Sequence, residues 1–354
     1  MSGISHPSRL DTKKQTLLQR HHDQSIKSPV MARQLRAGIY TPTQVFYDPK
    51  TEDLDADTIA KHAVRLARAG VVGIVTNGSN GEAVYLSSQE RMEVTRITRQ
   101  ALDAAGFSKT SLIVGASDQS VRGTLQLCRE AAEAGGDAVL LMVPSFFKWA
   151  MDTATIERYF TKVADDSPLP VVIYNYPGAV AGIDIDSDTL IRLAKHPNII
   201  GTKFTCGNVG KLARVVGATA SVSEVYPERS ESAEPYFSFA GIADFITPMV
   251  AAGGSGAVVG AANVFPRACV QVYNLAVQGK TKEAMEAQEK LAAADWSLTK
   301  RAIPGFKAIL DRYHGYGGSP RQPMDKLSEN DAKTLCEEID WMMDIEKSLK
   351  DIET

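Results

Sequence analysis

The chain has 354 residues, 44% of them hydrophobic and 23% charged, with a formal net charge of −3, so it reads as a globular protein long enough to bury a sizeable core. No basic stripe stands out, which removes the electrostatic ground for a nucleic-acid partner, and no apolar run is long enough to span a bilayer. The four cysteines, Cys128, Cys206, Cys269 and Cys336, form no Cys-x-x-Cys pair and read as reduced thiols of an intracellular protein.

Residues 1–36 are polar, with scattered Arg and Lys and three histidines, and read as a flexible tail. A mitochondrial presequence is the alternative, against which Asp11 and Asp23 count; the cytoplasm is the expected compartment and the mitochondrion the other. From Ala37 onward short apolar strands alternate with amphipathic helices. Strands are predicted at 38–41, 71–76, 111–115, 138–143, 170–177, 199–205, 236–240 and 256–260. Helices are predicted near 55–69, 120–134, 153–164, 187–195, 209–216 and 244–252, and Ser87-Ser-Gln-Glu90 is a capping box that opens another. The polar segment 221–235 is expected to be a surface excursion. Residues 37–279 thus form one α/β unit, and residues 280–354 a C-terminal helical extension whose last helix starts near Asn330. Eight strand–helix units with right-handed crossovers suggest a closed parallel (β/α)8 TIM barrel, with a doubly wound open sheet as the competitor.

Two of the strands carry one polar intruder each: Tyr174 in Pro170-Val-Val-Ile-Tyr-Asn-Tyr-Pro177 and Lys203 in Ile199-Ile-Gly-Thr-Lys-Phe-Thr205. A period of two places Lys203 on one face with Gly201 and Ile199, and Tyr174 with Val172. Burial in low dielectric favours the neutral form of an amine, and a neutral amine beside a phenol suits imine chemistry on a keto acid. The competing reading is a lysine whose stem crosses apolar surface while its head reaches water.

Both residues lie toward the carboxyl ends of their strands, where a parallel barrel gathers its chemistry, as does Gly78-Ser-Asn-Gly-Glu82. Two glycines flanking small polar residues let backbone N–H groups converge on an anion such as a carboxylate; the same pattern also makes a plain tight turn. Glu82 reads as a brace for that loop rather than an acid. The histidines include no His-x-His or His-Glu-x-x-His spacing, so no metal site is expected. The loop also lacks the Gly-x-Gly-x-x-Gly spacing of dinucleotide binding.

Taken in order, Gly78-Ser-Asn-Gly-Glu82, Tyr174-Asn-Tyr-Pro177, Ile200-Gly-Thr-Lys203, Gly241, the 253–263 run and Arg321-Gln-Pro323 resemble the dihydrodipicolinate synthase / N-acetylneuraminate lyase family of Schiff-base, pyruvate-handling aldolases. The resemblance covers residues 38–324. It implies a (β/α)8 barrel, assembly as a homotetramer or homodimer, and no metal or organic cofactor. By that resemblance Lys203 forms the imine with a 2-oxo acid and Tyr174 shuttles protons at the substrate hydroxyl or aldehyde oxygen. Ser79 and Asn80, on the Gly78 loop, hold the carboxylate, and Gly241 and the Val258 backbone line the same pocket. The partners implied are small molecules, pyruvate and an aldehyde.

The departures from the family pattern narrow the substrate. Where dihydrodipicolinate synthases carry an arginine after the strand-five tyrosine, this chain has Ala179, which argues against lysine biosynthesis. Gly241-Ile-Ala243 offers little to the hydroxyls of a long sugar. The strand-four loop reads Ser145-Phe-Phe147 in place of a tyrosine pair, so the usual relay is absent or rerouted, with Tyr85 as a candidate substitute. Phe146, Phe147 and Trp149 read first as interface packing. The loop forms and the run Phe160-Thr-Lys-Val-Ala-Asp165 most resemble the 4-hydroxy-2-oxoglutarate aldolase and 2-keto-3-deoxy-sugar-acid aldolase branch. The expected activity is a class I aldolase that cleaves a 4-hydroxy-2-oxo acid to pyruvate and an aldehyde, or runs the reverse condensation. The alternatives are a dehydratase or hydratase-aldolase using the same imine, for which the aromatic cluster is the motive, and a non-catalytic ligand-binding paralogue.

Overall fold

The computed structural model describes residues 34–229 and 234–352. Among them, eight parallel strands close a barrel in sequence order: β1 Gly38–Pro42, β2 Gly73–Thr76, β3 Ser111–Gly115, β4 Ala138–Leu141, β5 Val171–Asn175, β6 Ile199–Phe204, β7 Phe237–Ala240 and β8 Gly256–Val258. Helices α1 Ala56–Arg68, α2 Ser88–Ala104, α3 Val121–Glu133, α4 Thr153–Asp166, α5 Ser187–Leu193, α6 Val209–Ala218, α7 Ile246–Ala251 and α8 Pro266–Val277 alternate with the strands. Three more, α9 Thr281–Thr299, α10 Ala302–His314 and α11 Glu329–Ser348, follow. The closed sheet excludes the doubly wound alternative.

Local sequence accounts for most helix starts. Asp55, Ser120, Asp152, Asp186 and Asn208 each cap a helix with a side-chain oxygen that accepts a backbone N–H. The capping box of Ser87 and Glu90 is complete, which satisfies two donors that would otherwise be orphaned at the start of α2.

Alternation sorts the strand side chains into two cores. Ile39, Ile74, Leu112, Val114, Val139, Leu141, Val171 and Ile173 face the helices. Tyr40, Val75, Ile113, Leu140, Val172, Tyr174, Phe237, Phe239 and Val258 fill the barrel. The filling is aromatic on one side: Phe237 and Phe239 stack with centroids 5.6 Å apart, and Tyr40 meets Phe239 edge-on at 5.2 Å. Gly73 makes room for this packing, since a Cβ there would stand 2.1 Å from Tyr40 Cε1.

The chain departs from expectation just before β1 and beside β7. Residues 34–36, placed in the tail by their polarity, join the barrel: Leu35 is buried in its interior cluster, and the Tyr40 hydroxyl donates to Arg36 O at 2.9 Å. The rest of the expected tail, residues 1–33, lies outside the described residues. The 221–235 segment is not purely a surface excursion either. Ser221 and Ser223 are buried, and Val222 N–H donates to Tyr236 O while Tyr236 N–H donates to Ala220 O, so its first residues extend the sheet beside β7.

Candidate active site

Strands β5 and β6 pair so that Tyr174 lies directly opposite Lys203. The Lys203 Nζ sits over the Tyr174 ring, 4.1 Å from its centroid, and the two residues are only 3% and 5% exposed. On its other side Lys203 is in register with Phe239 of β7. The amine therefore stands inside the barrel rather than running to water.

Simple alternation does not produce this placement by itself. Val171 pairs with Ile199, but Val172 pairs with Gly201, so the β6 register shifts by one residue at Ile200. Ile199 consequently belongs to the helix-facing core, and Ile200 packs toward the barrel interior. The expectation that Ile199 shares the Lys203 face is thus overturned, because one inserted residue inverts every side chain on one side of it.

The loop after β2 forms a short 3-10 turn, Ser79–Gly81, that follows buried Gly78. Ser79 Oγ and Tyr174 Oη lie 3.2 Å apart, so the two hydroxyls share a hydrogen bond. Asn80 reaches the other way: a Cβ on Gly260, just past β8, would come within 2.9 Å of its Nδ2. Gly241 follows β7, and a Cβ there would strike Thr205 Oγ1 at 1.9 Å, so only glycine lets the ends of β6 and β7 approach this closely. Val258 is buried on β8 within the barrel interior. The sequence-predicted residues thus occupy the ends of β2, β5, β6, β7 and β8, and the structure brings Lys203, Tyr174 and Ser79 into direct contact.

Further residues support the site. Tyr176 stacks on Tyr174 with centroids 5.5 Å apart. Glu82, in left-handed backbone geometry at φ 51°, forms a fully buried ion pair with Lys307 of α10 at 2.6 Å. Its second oxygen accepts Arg321 N–H at 2.8 Å, so Glu82 is the brace its position suggested. Asn175 Nδ2 donates to Asp184 Oδ1 at 2.8 Å, and the Lys211 ammonium bonds the same carboxylate; together they tie down the loop that follows Tyr176.

A second buried chain of hydrogen bonds runs beneath the β8 end. Asn263 Nδ2 donates to Pro42 O and Gly260 O, both at 2.9 Å, which leaves its Oδ1 as an acceptor for His62 Nε2 at 3.0 Å. His62 Nδ1 must then accept, and the Tyr316 hydroxyl donates to it at 2.9 Å, while Arg65 Nε donates to the Tyr316 oxygen at 2.9 Å. Burial foremost, then the Arg65 charge, holds His62 well below the usual imidazole range, consistent with this neutral tautomer.

The strand-four loop points elsewhere. Phe146, Phe147 and Trp149 are 80%, 60% and 86% exposed and touch one another edge-on, at 5.0 and 6.2 Å between centroids. Tyr85 lies on the loop after β2, where its main-chain carbonyl accepts from Arg321, and the Tyr174 hydroxyl shares its hydrogen bond with Ser79. Among the described residues no group of three or more His, Cys, Asp or Glu is placed to hold a metal ion, and no helix is long and apolar enough to cross a membrane.

A closed parallel barrel that holds a buried lysine, a facing tyrosine and a glycine-flanked loop at the carboxyl ends of its strands has the layout of a (β/α)8 enzyme. The dihydrodipicolinate synthetase family model matches residues 36–341, and the chain belongs to that family. It is 52% identical to an L-threo-3-deoxy-hexylosonate aldolase from Aspergillus niger, across 90% of this chain and 98% of that protein. A protein from Emericella nidulans named "probable 4-hydroxy-2-oxoglutarate aldolase, mitochondrial" is 42% identical, across 90% of this chain and 98% of that one. Among solved structures, a dihydrodipicolinate synthase family protein from Coccidioides immitis superposes with a TM-score of 0.76 at 32% identity, covering 90% of this chain and 99% of that one.

Proposed function

We propose that this protein is a class I aldolase that cleaves a 4-hydroxy-2-oxo acid, a 2-keto-3-deoxy sugar acid in the first instance and 4-hydroxy-2-oxoglutarate in the second, to pyruvate and an aldehyde. The observation that carries the reading is the Lys203 amine held 4.1 Å from the Tyr174 ring centroid, with the Tyr174 hydroxyl hydrogen-bonded to Ser79. The amine adds to the C2 carbonyl, and Tyr174 gives its proton to the departing hydroxyl, so that water leaves, the imine forms protonated and Tyr174 is left as the phenolate. The protonated imine then withdraws electrons from C3. Tyr174 accepts the proton of the C4 hydroxyl, the C3–C4 bond breaks, the aldehyde leaves, and the electron pair stays behind as an enamine. Protonation at C3 and hydrolysis by water release pyruvate and return the free amine. No metal or organic cofactor enters this sequence.

The preference for a sugar acid rests on the relative at 52% identity and on Ala179, exposed at the position where an arginine would grip a distal carboxylate. The aromatic-substrate reading loses its motive, since Phe146, Phe147 and Trp149 face outward. A non-catalytic paralogue would have no use for a lysine and a tyrosine kept in register inside a barrel. The exposed aromatic trio supports assembly as a homodimer or homotetramer. The proposed compartment is the cytoplasm, with the mitochondrion as the alternative that one relative's name supports.

Borohydride reduction in the presence of pyruvate, followed by peptide mass mapping, tests the mechanism. The adduct is expected on Lys203 and is expected to vanish in Lys203→Met. An adduct on Lys148 or Lys307, or none at all, would overturn it.

A further inference from the structure

Away from the barrel mouth, a cavity of about 470 Å³ opens between α1, α2 and the end of α10. Lys61, Arg65 and Arg68 line it from one face of α1, because their spacing of four and three residues stacks them along a single stripe. Ala60, Val64 and Ala101 supply a small apolar wall, and His314 and Tyr316 stand with them. The carboxylate among the described lining residues, Asp351, is held by the Arg267 guanidinium at 2.6 Å, so it is committed elsewhere.

The hydrogen-bond accounting of this wall does not close. Arg65 spends Nε on the Tyr316 hydroxyl and Nη2 on the Asn263 carbonyl, yet its Nη1 is buried without a partner among the described residues. His314 Nε2 is likewise buried and unpartnered there. Buried polar groups are seldom left without a partner. Lys61 is itself held over the Tyr316 ring, 5.0 Å from its centroid, which fixes one cation at the rim. The local field is positive: burial first, then Arg65, Arg267, Lys61 and Lys347, push His314 down to about 4.

We infer that this cavity is a binding site for a small multivalent oxyanion, with Arg65, Arg68 and Lys61 as its cationic ligands. Guanidinium groups match the paired oxygens of phosphate and carboxylate alike. The shared chemistry is therefore a compact anion of two or more charges, borne either by a phosphate ester or by a polycarboxylate.

Calorimetric titration of the full-length protein with inorganic pyrophosphate and with citrate, at constant ionic strength in chloride, tests the inference. At least one of the two is expected to bind saturably. Tighter binding of pyrophosphate identifies a phosphate ester as the source, and tighter binding of citrate a polycarboxylate. The double variant Lys61→Gln, Arg68→Gln alters two exposed side chains and is expected to weaken that binding about tenfold or more, as for loss of charge-assisted hydrogen bonds. Arg129→Gln, on α3, is expected to leave it unchanged. In NMR titrations, occupancy is expected to raise the His314 pKa, since an added negative charge favours the imidazolium. No saturable binding by either anion, binding equal in the double variant, or an unmoved His314 would overturn the inference.

Discussion

Glu82 Oε1 and Lys307 Nζ lie 2.6 Å apart with neither side chain exposed, across 225 residues of sequence (307 − 82). The pair joins the loop that presents Ser79 and Asn80 to the helix α10 beyond the barrel. Lys307 also donates to Ser319 O at 2.9 Å and sits over the Tyr47 ring. Removing one member strands the other in low dielectric, at a cost of about 3–5 kcal/mol. Lys307→Met is therefore expected to destabilise the protein by that amount in urea unfolding. The double variant Glu82→Gln, Lys307→Met should recover a large part of the loss, because no buried charge remains unpaired. Destabilisation of the double variant equal to the sum of the Glu82→Gln and Lys307→Met losses would show that the pair contributes no coupling.

Tyr174 meets Lys203 through its ring and Ser79 through its hydroxyl. Tyr174→Phe keeps the ring and loses the proton carrier. The variant is expected to retain borohydride trapping of pyruvate while cleavage slows by roughly two orders of magnitude or more. Ser79→Ala should slow it less, since the phenol remains. Turnover at the wild-type rate in Tyr174→Phe would remove the tyrosine from the chemistry.

Asp295 is buried on α9 beneath the turn that follows Gly241. It accepts Ala243 N–H at 3.2 Å, and burial first, then the neighbouring Asp244 charge, raise its pKa from 3.8 to about 7. The native state thus holds a proton that the unfolded chain releases near pH 4. Between about pH 4 and pH 7 the unfolded state binds fewer protons, so this group's contribution to stability falls as pH rises and levels off above 7. Asp295→Asn keeps an acceptor for Ala243 without the charge. Its melting temperature should exceed the wild type's at pH 8, and its decline between pH 4.5 and 7.5 should be shallower. Parallel curves for the two proteins would contradict the assignment.

The exposed trio of Phe146, Phe147 and Trp149 carries the proposed self-association. Replacing Phe146 and Trp149 together by serine removes two large aromatic anchors of the kind that dominate interfaces. Sedimentation equilibrium is expected to show a dissociation constant at least about tenfold weaker, with circular dichroism unchanged. An assembly equally tight after both substitutions would place the interface elsewhere.

What could be read from the sequence was whatever local rules govern. Alternation and 3.6-residue periodicity marked the strands and helices, capping residues marked where helices begin, and the ordered motifs singled out Lys203, Tyr174 and the Gly78–Glu82 loop. Leu35 was hidden because a polar surrounding masked one apolar residue that fills the barrel floor. The β6 register shift was hidden as well, since an extra residue such as Ile200 is apolar on either face and leaves no mark in composition.

The tertiary structure alone decided who meets whom. Closing the barrel places Ser79 against Tyr174, Glu82 against Lys307, and His62 between Asn263 and Tyr316. It also leaves the aromatic trio outside and gathers Lys61, Arg65 and Arg68 at a cavity. The physical reason is one of range. Propensity, period and caps act within a few residues along the chain, whereas pairing a buried charge or satisfying a buried donor depends on atoms that only the closed fold brings within about 3 Å.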